Sequence, residues 1–110
     1  MFRLELKPLA EIDVAEAAIW YNIQREGLGE EFLLALEAKF NEIQRNPYQF
    51  KIIYKNVRRA FPNRFPYGIF FISEESIIYV LAITHTSRNP KSGKREDNNH
   101  QKIFQNNELF

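Results

Sequence analysis

The residues best suited to chemistry lie in the second half of the chain. They are His85, in the run His85-Thr86-Ser87-Arg88-Asn89-Pro90, and a series of arginines, Arg58, Arg59, Arg64 and Arg88, interleaved with Phe61, Phe65 and Tyr67. A guanidinium is a planar fork that donates two parallel hydrogen bonds to phosphate or carboxylate, so these arginines are the candidate contacts for an anionic partner. In extended chain the consecutive Arg58 and Arg59 point to opposite faces. Arg64 sits between Pro62 and Pro66, which limit the backbone around it. A basic edge also deters sheet-to-sheet aggregation, and that alternative stands beside ligand binding. An imidazole at the end of a strand could act as general base on a ribose hydroxyl or general acid on a leaving oxygen. Equally, it could hydrogen-bond the loop that follows and hold Arg88 in place.

Charge is distributed in the same sense. The 110 residues carry a formal net charge of +1. Residues 1–50 nevertheless sum to −4, residues 51–95 to +7 with only Glu74 and Glu75 acidic, and residues 96–110 to −2. That asymmetry suits one anionic partner met by the second half. Other chemistries are poorly served. With no cysteine there is no thiolate metal site, disulfide scaffold or cysteine nucleophile. Two histidines, His85 and His100, far apart in sequence, make a zinc site an unexpected outcome. The four glycines form no phosphate-cradling loop, and no Gly-x-Ser-x-Gly elbow is present. No metal or cofactor is expected. No apolar run approaches a membrane span, and the charged N-terminus does not read as a signal peptide, so a cytoplasmic protein without a membrane partner is expected.

The elements that must position these groups follow from hydrophobic periodicity. Phe2, Leu4 and Leu6 alternate with Arg3, Glu5 and Lys7, predicting a short strand stopped by Pro8. Ile12, Ala15, Ile19 and Ile23 recur at helical steps, widened by Trp20, up to a stop at Gly27. A second helix from about Gly29 to Arg45 presents Phe32, Leu33, Leu36, Phe40 and Ile43 and ends at Asn46-Pro47. The break is so short that the two helices must form an antiparallel hairpin. Residues 52–61 read as one irregular strand or two short ones. Strands over residues 67–72 and 76–84 form a hairpin through Ser73-Glu74-Glu75-Ser76, and the last strand, apolar on both faces, should be central. The expected fold is therefore α+β, in the order β-α-α-β-β-β: a small antiparallel sheet with the helical hairpin packed on one face. Residues 1–95 form the domain, and residues 96–110 a mobile tail or a short helix docking on a partner or the core. Trp20 and Tyr21 point to different sides of their helix, so homodimerisation through the hairpin is also expected.

Three blocks, Arg58-Arg59-Ala60-Phe61, Arg64-Phe65-Pro66-Tyr67-Gly68-Ile69-Phe70-Phe71 and Ile83-Thr84-His85-Thr86-Ser87-Arg88-Asn89-Pro90, resemble the signatures of the RelE/ParE toxin superfamily. The similarity spans about residues 1–95 and is nearest the ParE-like, plasmid-stabilisation branch. It implies the toxin of a type II toxin–antitoxin module, held by a cognate antitoxin whose C-terminal segment wraps around it. ParE-like members poison DNA gyrase. RelE-like members cut messenger RNA on the ribosome. The resemblance makes Arg58, Arg59, Arg64 and Arg88 the anion- or target-contacting set and His85 the acid–base candidate. The chain departs from the ribonuclease pattern in carrying no cluster of His, Asp and Tyr near its C-terminus, which leaves open whether it is an enzyme. A third alternative is a non-toxic binding protein of the same fold.

Overall fold

In the computed structural model residues 1–87 are described; Arg88 and the 96–110 segment lie outside them. The order is β1 (Arg3–Leu6), α1 (Pro8–Gln24), α2 (Leu28–Arg45), a single 3-10 turn (Pro47–Gln49), β2 (Lys51–Tyr54), β3 (Val57–Ala60), β4 (Tyr67–Glu74) and β5 (Ile77–His85). The strands form one sheet in the order β1-β5-β4-β3-β2. The α+β class and the helical hairpin on one face are as the sequence predicts. Two features refine that expectation. Residues 51–60 divide into two strands around Lys55-Asn56, and β1 runs parallel to β5, so the sheet is mixed, with its other three pairings antiparallel.

The helical hairpin carries the chain from β1 at one edge of the sheet to β2 at the other, and β3, β4 and β5 then step back antiparallel until β5 pairs with β1, parallel to it. β1 is only four residues long and reaches Val80 on β5. Beyond that point α1 takes over the edge, and the Asp13 carboxylate accepts the Ile83 backbone N–H at 2.9 Å. β5 also carries one extra residue, because Phe70 faces Ala82 while Phe71 faces Val80. The bulge turns both Leu81 and Ala82 to the face away from the helices.

The main core lies between sheet and helices, where Phe32, Leu36 and Ile43 of α2 meet Ile69, Phe71, Ile78 and Val80. Here one expectation is reversed. Ile12, Ile19 and Ile23 are exposed, and α1 buries the opposite side, Ala10, Ala17 and Tyr21, with Val14 half-buried. Small side chains let α1 lie close to β5 and α2, whereas the isoleucine stripe would hold it off.

Two glycines make the hairpin possible. Gly27 has φ +89° between the helices, in the left-handed region where a side chain is costly. Gly29 sits against α1: a Cβ there would fall 2.5 Å from the Ala18 carbonyl oxygen and 2.8 Å from Asn22 Cγ. Its N–H donates to Asn22 Oδ1 at 2.7 Å, occupying one of the donors that a helix N-terminus leaves unpaired.

Candidate functional site

The described arginines occupy three different environments. Arg58 lies on the helix side of β3, where Nη1 donates to the carbonyl oxygens of Phe50 (2.7 Å) and Tyr48 (3.4 Å) and the guanidinium stacks 5.3 Å from the Tyr48 ring. It holds the 3-10 turn to the sheet. Arg59, one residue on, lies on the opposite face over Gly68 and stacks 4.9 Å from the Phe61 ring. Arg64 projects from the 61–66 connection with φ +74°, stacks 5.1 Å from Phe65 and pairs with Glu31 at 2.9 Å. Arg25 approaches the same carboxylate at 3.4 Å. The Arg64 hydrogen bond, with both guanidinium charges, holds Glu31 below the usual carboxylate range against the opposing effect of desolvation. Arg88 lies outside the described residues. Among the described residues, then, Arg58 and Arg59 stand on opposite faces of the sheet and Arg64 is paired with Glu31.

His85 ends β5 opposite Tyr67, with their rings edge-to-face at 5.1 Å. Tyr67 in turn packs in an aromatic cluster with Tyr21 and Phe32. The Ser87 N–H donates to His85 Nδ1 at 3.0 Å. That bond engages the imidazole Nδ1 as an acceptor. In this geometry His85 organises the start of the loop after β5. Among the described residues no three His, Asp or Glu side chains form a metal-binding group.

An open apolar groove is also present. Between α2, α1 and β1 runs an open groove of about 530 Å³ lined by Leu6, Val14, Leu33, Leu34 and Phe40, with Glu30 and Glu37 among its wall residues. Leu34 is 65% exposed and Leu33 41%. Apolar lining with a few charged groups is what receives an amphipathic segment, its apolar side chains filling the floor and its cations meeting the acids. Sequence periodicity assigned Leu33 to the core. In the fold it lines the groove, 41% exposed.

Asp13 is the functional-group finding that sequence reasoning missed. Burial is the largest influence on its carboxyl and raises its pKa from 3.8 to about 6; the Ile83 N–H opposes that and Glu16 adds to it. In the sequence Asp13 looks like an ordinary acid in the first turns of a helix, and nothing there indicates that α1 crosses a bare strand edge. No helix among the described residues is long and apolar enough to cross a membrane.

The architecture is a small mixed sheet covered on one face by an antiparallel helical hairpin, with an open apolar groove beside the hairpin. The fold is that of a solved chain from the chromosomal ParDE toxin–antitoxin system of P. aeruginosa: TM-score 0.70, 16% identity, covering 79% of this chain and 98% of that one. No curated protein matches the sequence. The sequence itself matches the ParE toxin of the type II toxin–antitoxin system parDE over residues 4–90, and the chain belongs to that family.

Proposed function

We propose that this ParE-family toxin arrests growth by binding, with DNA gyrase as its target, and that a cognate antitoxin neutralises it by laying an amphipathic segment in the groove between α2 and β1. The observation that carries the binding reading is the division of labour among its polar groups. Arg58 is engaged with backbone carbonyls, Arg64 with Glu31 and His85 Nδ1 with the Ser87 amide, while the groove keeps Leu33 and Leu34 exposed. A ribosome-dependent ribonuclease needs an available base and clustered cations around one phosphate. A binding toxin needs surface. The protein acts in the cytoplasm on this reading, where gyrase and its DNA are found.

Expression without antitoxin should stop growth, and co-expression of the antitoxin encoded beside it should restore growth. A wild-type chain tolerated at high expression would reject the toxin reading in favour of a non-toxic binding protein. A second copy of the chain is a further partner for the outward stripe Ile12, Ile19 and Ile23, three β-branched side chains on one helix face. Light scattering should then give a dimer that Ile19→Lys converts to monomer, and a wild-type monomer would exclude this contact.

A further inference from the structure

Exposed aromatic and cationic groups meet where the turn between α1 and α2 faces the 61–66 connection. Trp20 is 44% exposed and stands edge-to-face against Tyr21, their rings 5.1 Å apart. Tyr21 packs on Phe65 at 5.0 Å, and the Arg64 guanidinium lies 5.1 Å over the Phe65 ring. Glu31 accepts from Arg64 at 2.9 Å and from Arg25 at 3.4 Å on each carboxylate oxygen, the latter contacts being long. The side chains of Arg25 and Arg64 remain 58% and 63% exposed. Two guanidiniums thus share one carboxylate, and the cluster keeps a positive charge in excess. Stability does not account for the arrangement, because an ion pair so exposed contributes little. Arg64 has φ +74°, a left-handed conformation that glycine would hold at lower cost. Pro62 and Pro66 restrict the chain on either side, so the guanidinium is fixed in position on a strained backbone.

We propose that Trp20, Arg25 and Arg64 form the contact through which the toxin holds its target, a protein surface that presents a carboxylate to Arg64 beside a pocket for the Trp20 ring. The proposal rests on the reading of this chain as a toxin that acts by binding. Tryptophan and arginine are the side chains that most often anchor protein interfaces, the ring through desolvated area and the guanidinium through paired hydrogen bonds. A carboxylate is the fitting partner because Glu31 already plays that part within the chain. The arriving acid takes the place of Glu31, and a guanidinium held in position by its backbone loses little freedom when it binds. Nucleic acid fits less well. Glu16, one helical turn before Trp20, and Glu26, next to Arg25, are both exposed, and acids so interspersed oppose a phosphate backbone. None of the three contact residues lines the groove assigned to the antitoxin, so target and antitoxin meet different surfaces.

The test uses the full chain and three variants whose fold is checked by circular dichroism. Arg64→Gly removes the guanidinium and relieves the left-handed turn, so it keeps the fold; Trp20→Ala removes an exposed ring. Each should abolish growth arrest in cells and weaken binding to purified gyrase, measured without DNA, at least ~10-fold. Glu31→Gln should strengthen that binding a few-fold, because no internal carboxylate then competes for Arg64; unchanged or weaker binding contradicts the exchange of acids. Growth arrest at the wild-type level by Arg64→Gly or Trp20→Ala overturns the proposal. That readout holds whichever protein is the target, whereas a wild-type chain that arrests growth without binding gyrase refutes gyrase alone and leaves the contact to be judged by its variants. Other occupants give different results. DNA retarded by wild type and not by Arg64→Gly, a dimer that Trp20→Ala dissociates, or a ~10-fold loss of antitoxin affinity in Trp20→Ala by calorimetry would each assign the surface elsewhere and overturn the proposal.

Discussion

Replacing Asp13 by Asn should make the protein more stable at pH 8, and the gain should shrink as the pH falls. Burial raises the Asp13 pKa from 3.8 to about 6, so at pH 8 the fold holds a charge its surroundings disfavour. A raised folded-state pKa contributes stability that is fully present below the unfolded value and lost as pH rises through about 6. A rise from 3.8 to about 6 sets an upper bound of about 3 kcal/mol on what a neutral isostere gains at pH 8, and solvent screening at this part-exposed carboxyl reduces it to the order of 1–2 kcal/mol. Between pH 8 and pH 5, linkage returns roughly half of that gain to the wild type, because folded Asp13 is then largely protonated and unfolded Asp13 largely is not. Asn keeps a carbonyl oxygen to accept the Ile83 N–H, so the strand edge stays capped. Urea unfolding of both proteins at pH 5 and pH 8 reads the effect as a difference of differences, in which the other titrating groups cancel. Asp13→Ala is the control. It removes the charge but also the acceptor, leaving the Ile83 amide unpaired at a cost of about 1–3 kcal/mol, so it should gain little or lose. Equal Asn-minus-wild-type differences at the two pH values, or an Asn variant less stable at pH 8, would refute the placement of a disfavoured charge at this edge.

Gly29→Ala should lower stability by about 1–3 kcal/mol in thermal or urea unfolding, because its methyl would meet the Ala18 carbonyl oxygen at 2.5 Å and the helices would have to separate. Arg58→Ala should cost about 1–3 kcal/mol in the same assays through loss of its charge-assisted bond to the Phe50 carbonyl. Leu34→Glu, at a 65% exposed position, should leave stability within about 0.5 kcal/mol of wild type. By calorimetry it should weaken antitoxin binding at least ~10-fold, or about 1.4 kcal/mol; unchanged affinity would remove the groove from the antitoxin interface.

Much of the architecture was legible because its signals are local. Period-2 alternation marked β1, Gly27 and Asn46-Pro47 bracketed α2, and the polar turn at 73–76 joined β4 to β5. Less legible was whatever depends on which of two plausible faces wins. α1 is apolar on opposite sides, and spacing favours the larger isoleucines, yet packing chose Ala10, Ala17 and Tyr21 because close approach to β5 needs small side chains. The same limit applies to the arginines. Alternation placed Arg58 and Arg59 on opposite faces in advance, but nothing in the sequence shows that the left-handed turn at Arg64 delivers its guanidinium to Glu31, 33 positions earlier in the chain. Partners that distant leave no periodic trace, which is also why Asp13 and Ile83 could not be paired in advance.

The most direct test of toxicity by binding is a supercoiling assay with purified gyrase, adding wild-type protein or His85→Ala, each with and without antitoxin. Both proteins should inhibit supercoiling to the same extent, and antitoxin should relieve both. Gyrase that stays fully active, while wild-type protein cleaves messenger RNA on ribosomes and His85→Ala does not, would contradict it.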